Sequence, residues 1–462
     1  MARWPRITAL CVAAVIGLAA TVVLAVWLEP PQILRIGANY AAKMVCSNVF
    51  LAGRNPEDIL REDVQSPGIP ILRLLRVSVD RPHRTVRAGV FGFLGSGRAM
   101  ARERGGCVVV SPGTRLAPEV RPARASAAPS QSAAPADALW PDGERVETDA
   151  AVNKLISDER LTGSATRAVV VVHHGLLIGE RYARGFDART PQLGWSMTKT
   201  VTAGLVGVLV AQGRLSLDRK GLWPPGDGRE NVRVADLLAM SSGLAWNENH
   251  GAVSDLTRML FLEPDMATYA RAKPLAHPPG SVWSYSSGSA LILARLLQDA
   301  AGIASSDVAR DLLFEPLGMR SAVMEADAHG TLVGSSYMYA TPRDWARYGQ
   351  FLLQQGWWHG RQILPPGYVH LMTTPAAASS GQYGQGLVWL RGSDAAKPGV
   401  NPDAAFGIPP DIFWLEGHDN QFIAVIPSHE LVIVRLGLTP ARTRYQPQPL
   451  IKAVLEAVTE HG

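Results

Sequence analysis

The chain opens on an absence of charge. From Ile7 to Leu28 no residue is ionisable as an acid or base at neutral pH, and Arg3 and Arg6 stand just ahead of the run. About 20 apolar residues suffice for a helix to cross the hydrocarbon of a bilayer, and a short basic leader tends to stay on the cytoplasmic side. The pattern predicts a cytoplasmic tail at 1–6 and a transmembrane signal anchor at 7–28. Everything after Glu29 is then exported to the periplasmic side of the inner (cytoplasmic) membrane. A cleaved signal peptide is the competing reading, but the run is long for one and no Ala-x-Ala site precedes Glu29-Pro30-Pro31. Cys11 lies too early in the run to be a lipoprotein cysteine.

Beyond the anchor the pattern weakens and then sharpens. Residues 29–116 hold short apolar runs, at 69–77 interrupted by arginines and at 90–94, with little periodicity. Residues 117–139 are mostly Ala, Pro and Ser, a composition that buries too little apolar surface to order itself and reads as a linker. From Trp140 onward regular elements emerge. Arg167–His173 and Leu176–Tyr182 are β-branched runs around His174-Gly175, the mark of two antiparallel strands and a tight turn that carries His173 and His174. Val201–Val210 reads as an apolar helix, and Leu291–Ala301 and Pro342–Gln355 have helical spacing. Phe422–Pro427 and Leu431–Leu436 read as strands. Strands at both ends of a 140–462 domain predict an α+β fold (α/β in looser usage): an antiparallel sheet flanked by helices, with a mainly helical lobe.

Composition narrows the function. The 462 residues, 47% hydrophobic, are enough for one large domain and an appendage. The net charge of +5 is diffuse, without the basic, aromatic-interleaved runs that track nucleic acid. No Cys-x-x-Cys, His-Glu-x-x-His or Gly-x-Ser-x-Gly occurs, which argues against a cysteine-rich zinc site, a zincin and an α/β-hydrolase elbow. His173 and His174 lack a third ligand at metal spacing, so no metal is expected. Export into an oxidising compartment predicts a Cys46–Cys107 disulfide.

The chemistry centres on Gly194-Trp195-Ser196-Met197-Thr198-Lys199-Thr200. Of the chain's lysines, only Lys199 has a serine three residues before it. In a helix these two side chains share a face. If Ser196 opens the helix, the free N–H groups and dipole there favour developing negative charge. A lysine desolvated among apolar neighbours can be neutral enough to activate the serine hydroxyl.

Several later segments follow in a telling order. They are Val232–Leu244 with Ser241-Ser242-Gly243, His277-Pro278-Pro279-Gly280 leading to Tyr285-Ser286-Ser287, Phe314–Met319, and Tyr383-Gly384-Gln385-Gly386. Together with Ser196-x-x-Lys199 they resemble the landmarks of the β-lactamase-related serine hydrolases, over roughly Trp140 to the C-terminus. That group includes class C β-lactamases, D-alanyl-D-alanine carboxypeptidases, esterases and 6-aminohexanoate-dimer hydrolases. The resemblance implies a β-lactamase/transpeptidase-like fold, Ser196 as nucleophile and Lys199 as its base. It places the second-motif tyrosine at Tyr285; a phenol near a protonated lysine has its pKa lowered, so Tyr285 is expected either to take the serine's proton or to return it to the leaving group. The family's Tyr-x-Asn stands here as Tyr285-Ser286-Ser287, with Ser287 in place of asparagine. The third motif, Lys-Thr-Gly or His-Thr-Gly, matches His418-Asp419-Asn420. By analogy the oxyanion hole is formed by the N–H groups of Ser196 and Gln421.

His418, Ser287, Trp246 and Trp195 are the expected substrate contacts, and the polar loop from Trp246 to Asp255 is expected to shape specificity. Trp283, Trp345, Trp389 and Trp414 also flank motifs and are divided between cleft and core. The implied reaction is hydrolysis of a small or short peptide-like amide or ester through an acyl-serine intermediate, most similar to the 6-aminohexanoate-dimer hydrolases, with no cofactor. A cell-wall D-alanyl-D-alanine peptidase and a class C-like β-lactamase are the enzymatic alternatives. A catalytically silent ligand-binding protein is the alternative of another class, favoured by the altered Ser287 and Asn420.

Overall fold

The structure, a computed structural model, describes residues 4–66, 69–111, 113–118, 137–302, 305–392 and 401–460. Most of the stretch read as a linker, 119–136, lies outside the described residues. The uncharged run forms helix α1 (Trp4–Leu28). Its window Thr8–Ala25, with mean hydropathy 2.5 and no buried residue, is long and apolar enough to cross a membrane by length and composition. Pro30 and Pro31 follow it, as expected where a helix cannot continue.

Residues 29–116 gain an order that their pattern concealed. Helix α2 (Gln32–Phe50) lies across an antiparallel sheet of β1 (Leu75–Asp80), β2 (Thr85–Val90), β3 (Leu94–Ala101) and β4 (Cys107–Val109), in that spatial order. A Cβ added at Gly97 on β3 would meet the Ala38 carbonyl carbon at 2.4 Å, so strand and helix approach backbone to backbone. The predicted disulfide joins Cys46 of α2 to Cys107 of β4, Cα to Cα 6.0 Å.

Helix α2 buries polar as well as apolar residues, which is why no apolar stripe is visible in its sequence. Lys43 pairs with Glu325, and both are buried. The same carboxylate accepts from Ser47 Oγ at 2.9 Å and from the Cys107 N–H at 2.6 Å. Asp63 accepts from Arg54 at 2.7 Å and from Arg167 at 2.5 Å. Burial lowers the Lys43 ammonium below its usual value, with Glu325 pulling the other way. Burial pushes Asp63 up, but Arg167 and Arg54 outweigh it and hold the carboxyl below its usual range. Two buried ionic clusters thus fasten 29–116 to the later chain.

That later chain is built on a five-stranded antiparallel sheet. Its strands are β5 (Thr166–His173), β6 (Leu176–Tyr182), β7 (Phe413–Gly417), β8 (Gln421–Ile426) and β9 (Leu431–Gly437), in the order β7-β8-β9-β5-β6. The β5–β6 turn has His174 at φ 49° and Gly175 at φ 76°, both positive as a two-residue hairpin turn requires. Val169, Val171, Ala424 and Ile433 face α3 (Ala150–Ile156) and the C-terminal helix. Val170, Val172, Ile423 and Val434 face the helical lobe. Both faces are covered, so the strands read as continuous apolar runs, and each such side chain contributes about 1.5–3 kcal/mol by burial.

The lobe contains α4 (Met197–Ala211), α5 (Asp255–Phe261), α6 (Ser287–Ala301) and α7 (Pro342–Leu353); α8 (Gln448–Glu460) closes the chain on the opposite face. Helix α4 is buried from Met197 to Leu209, hence its lack of a polar face. Helix α7 begins with Thr341 Oγ1 accepting from the Asp344 N–H and Pro342 in the first turn. The architecture is α+β, as the alternation of patterns predicts.

Candidate active site

Ser196 sits at the mouth of α4, in the N-cap position, and its hydroxyl makes no capping bond. Trp195 before it has φ 48°, a conformation that costs a bulky residue of order 1–3 kcal/mol and persists only where the surroundings enforce it. Here the indole is packed among the rings of Tyr40, Tyr337 and His418, at centroid distances of 6.5, 6.2 and 5.7 Å. Gly194 donates to the Met338 carbonyl at 3.0 Å. Thr200 Oγ1 donates to the Leu387 carbonyl and Tyr348 to the Thr200 carbonyl, both at 2.7 Å. The serine is therefore carried on a helix fixed from several sides.

Lys199 Nζ donates to Ser196 Oγ at 2.9 Å and to the Ser335 carbonyl at 3.0 Å. The lysine is buried, and burial pushes its amine down to about 8, with the Glu248 carboxylate opposing. The Tyr285 phenol stands beside Ser196, near enough for that hydroxyl to act on it, and Lys199 Nζ lies 4.8 Å from its ring centroid. The structure thus brings Ser196, Lys199 and Tyr285 together. The expected lowering of the phenol is corrected. Burial, then Glu248 and Glu416, raise Tyr285 well above its usual value, while the neighbouring Ser196 hydroxyl pulls it the other way. It is a neutral hydrogen-bonding group at physiological pH.

Glu248 is the residue that sequence reasoning missed. It accepts from the Ser287 N–H at 2.9 Å, from Ser287 Oγ at 2.5 Å and from Trp246 Nε1 at 2.5 Å. The hydroxyl of Ser287 and the indole N–H of Trp246, read as substrate contacts, are directed to this carboxylate instead. Nothing local separates Glu248 from Asn247 or Asn249 in the polar loop; the only signal was the loop itself, together with a second motif lacking its asparagine.

The third motif forms the tight β7–β8 turn. Asp419 and Asn420 lie at φ 60° and 63°, which asparagine and aspartate tolerate better than most residues, so Asn420 can stand where relatives have glycine. Trp414 exchanges backbone bonds with Trp389 at 2.8 and 3.0 Å on the outer edge of β7. Strand alternation then turns the N–H groups of Glu416 and His418 to that edge and the N–H of Gly417 inward. Gln421 is the ladder partner of Gly417, and its side-chain amide donates to the Leu193 carbonyl at 2.9 Å. The Gln421 N–H therefore faces Gly417 within the sheet, a correction to its expected role at the oxyanion. Gly417 abuts the nucleophile loop so closely that a Cβ there would meet the Gly194 oxygen at 2.3 Å.

His418 is exposed and stacks on His250, centroids 5.1 Å apart and planes 10° from parallel. Although His250 retains solvent contact, desolvation, His418 and Lys199 hold it down to about 4. Among the tryptophans, Trp345 and Trp414 are fully buried core residues. Trp389 stacks on Tyr285 at 5.4 Å, and Trp283 meets Tyr383 at 5.6 Å, so these two belong to the aromatic wall around the phenol.

The beta-lactamase family model matches residues 152–446, more than half of the chain. No curated protein matches the chain in sequence. A Bacillus anthracis protein assigned as a 6-aminohexanoate-dimer hydrolase superposes with TM-score 0.56 at 22% identity, covering 68% of this chain and 87% of its own. A penicillin-binding protein homolog from Caulobacter crescentus gives 0.51 at 17%, covering 68% and 99%. EstCE1, a hydrolase with promiscuous acyltransferase activity, gives 0.51 at 16%, covering 67% and 97%. At these identities the three structures share the fold, the β-lactamase/transpeptidase-like arrangement. With Ser196-x-x-Lys199 opening α4 and the model spanning both sheet halves and the lobe between them, this chain belongs to the β-lactamase-related serine hydrolase family.

Proposed function

We propose that this protein hydrolyses a linear amide or ester through an acyl-Ser196 intermediate. The observation that carries the reading is the 2.9 Å contact between Ser196 Oγ and a buried Lys199 whose amine is pushed down to about 8. A neutral Lys199 takes the hydroxyl proton as Oγ attacks the carbonyl carbon. The new C–O bond forms, the tetrahedral oxyanion collapses, and the bond to the leaving amine or alcohol breaks. The departing group receives the proton by way of Lys199 and the Tyr285 hydroxyl, which stands beside Ser196. Water then repeats the sequence on the acyl-enzyme. The oxyanion meets the N–H of Ser196, at the helix N-terminus, and the edge-facing N–H of His418. Glu248 holds positive charge on Lys199 and is itself held by Ser287 and Trp246.

The apolar helix α1 supports a signal anchor, with the hydrolase domain on the periplasmic side. The test of function is a panel of p-nitrophenyl esters, short linear amides and β-lactams with wild type and Ser196→Ala. Burst release followed by slower turnover, absent from the variant, is expected for at least one ester. Turnover equal in both proteins would contradict the proposal.

A further inference from the structure

A cavity of about 330 Å³ opens beside the nucleophile loop, within the roughly 300–1,000 Å³ range of ligand pockets. One end of it is polar and belongs to the site: Trp195, which precedes Ser196, the stacked pair His250 and His418, and Asp419. The rest is apolar. Ile33 and Ile36 of α2, Ile71 and Leu72 of the turn at Pro70–Leu74, and Leu260 and Phe261 of α5 form its walls. Two units build it jointly: residues 29–116 supply one wall and the helical lobe the other.

The mouth is apolar too. Ile69 and Ile71 are 41% and 36% exposed, and Ile33 follows shortly after the end of α1 at Leu28. Leu34 lies under Gly95, where an added Cβ would meet its Cβ at 2.8 Å. Gly95 belongs to the hairpin whose tip carries Phe91 and Phe93, 56% and 52% exposed. Apolar groups thus gather on the side where α1 leaves the folded body. A peptide-like substrate would bring polar groups against walls that offer them few partners, at a cost of about 1–3 kcal/mol for each one left unsatisfied.

The geometry points to a long alkyl chain as the occupant: the substrate is an amphiphilic ester or amide whose chain lies between α2 and α5 while its carbonyl is at Ser196. This deepens the serine-hydrolase reading and rests on it. The chain belongs to the acid or to the alcohol, and substrate series of both kinds separate the two cases.

The experiment measures kcat/KM of the full chain in detergent micelles on p-nitrophenyl acetate against decanoate, and on ethyl acetate against decyl acetate. A long-to-short ratio of about tenfold or more in one series is expected from the buried methylenes. Ile71→Asp and Leu260→Trp should each cut that ratio on the order of tenfold, and Leu176→Asp, on the β5–β6 hairpin, should leave it unchanged. Ile71 is part-exposed and decides the matter if Leu260→Trp does not fold. Ratios near one in both series, in protein that a fluorophosphonate still labels at Ser196, would overturn the chain-binding inference alone. Loss of both labelling and turnover in folded wild type would overturn the hydrolase reading and this inference with it.

Discussion

Ser287 Oγ donates to the Glu248 carboxylate at 2.5 Å, and through that bond a loop residue far away in sequence stands in the electrostatic field of Lys199. The amine is lowered by burial and raised in part by Glu248. With neutral Lys199 as the proposed base, the acylation rate should rise with pH through about 8. Replacing Glu248 by Gln removes the opposing charge and drops the amine further. The rising limb of the pH profile should move to lower pH, making the variant faster than wild type on the acid side of the midpoint. A limb that stays in place, measured by labelling rate at each pH, would deny Glu248 this role.

Tyr285 is raised by burial and by two carboxylates, so in the proposed reaction it takes part as a neutral hydroxyl. Tyr285→Phe should slow acylation by about 10²-fold or more without removing the rising limb that belongs to Lys199. Pre-steady-state kinetics across pH separates these effects: a profile that lost its limb would make the tyrosine, not the lysine, the titrating base.

Gly417 touches the Gly194 oxygen with no space for a side chain. Gly417→Ala should push β7 off the nucleophile loop, and a misplacement of about 1 Å costs roughly 10²-fold in rate. Circular dichroism should show the fold retained. Undiminished ester turnover would mean that the β7 edge does not set the geometry of Ser196.

Asp63 between Arg54 and Arg167 predicts a pH-dependent stability. Its folded pKa lies below the unfolded value, so its contribution is complete above about pH 4 and is lost as pH falls through the folded pKa. Asp63→Asn, which strands two part-buried guanidiniums, should cost about 3–5 kcal/mol at pH 7. The gap to wild type should narrow in denaturant titrations as pH falls below about 4 and through the lowered folded pKa. For the same reason a chain cut to begin at Trp140, lacking Lys43 and Asp63, should be markedly less stable than one that keeps 29–116.

The elements that were legible in the sequence are those whose burial is one-sided or complete. Val169 to Val172 alternate between two covered faces, the His174-Gly175 turn needs positive φ, and α4 is apolar all round. The Ser196 and Lys199 pair was legible because one helical turn fixes their spacing. Glu248 was not, since its place depends on a loop folding back onto Ser287. The Gln421 expectation erred because the parity of β7 is set by Trp414 meeting Trp389, a pairing invisible in the motif. Helix α2 was hidden because Asn39, Lys43 and Ser47 are buried as hydrogen-bonded polar groups, so the helix carries no apolar stripe.

An activated Ser196 is what the proposed reaction requires. Its most direct test is the intact mass of the full chain in detergent after incubation with a fluorophosphonate, for wild type, Ser196→Ala and Lys199→Ala. One adduct on wild type is predicted, none on Ser196→Ala, and labelling slowed by about 10²–10⁴-fold on Lys199→Ala. Folded wild type that takes no label, or a Ser196→Ala variant that takes as much as wild type, would contradict it.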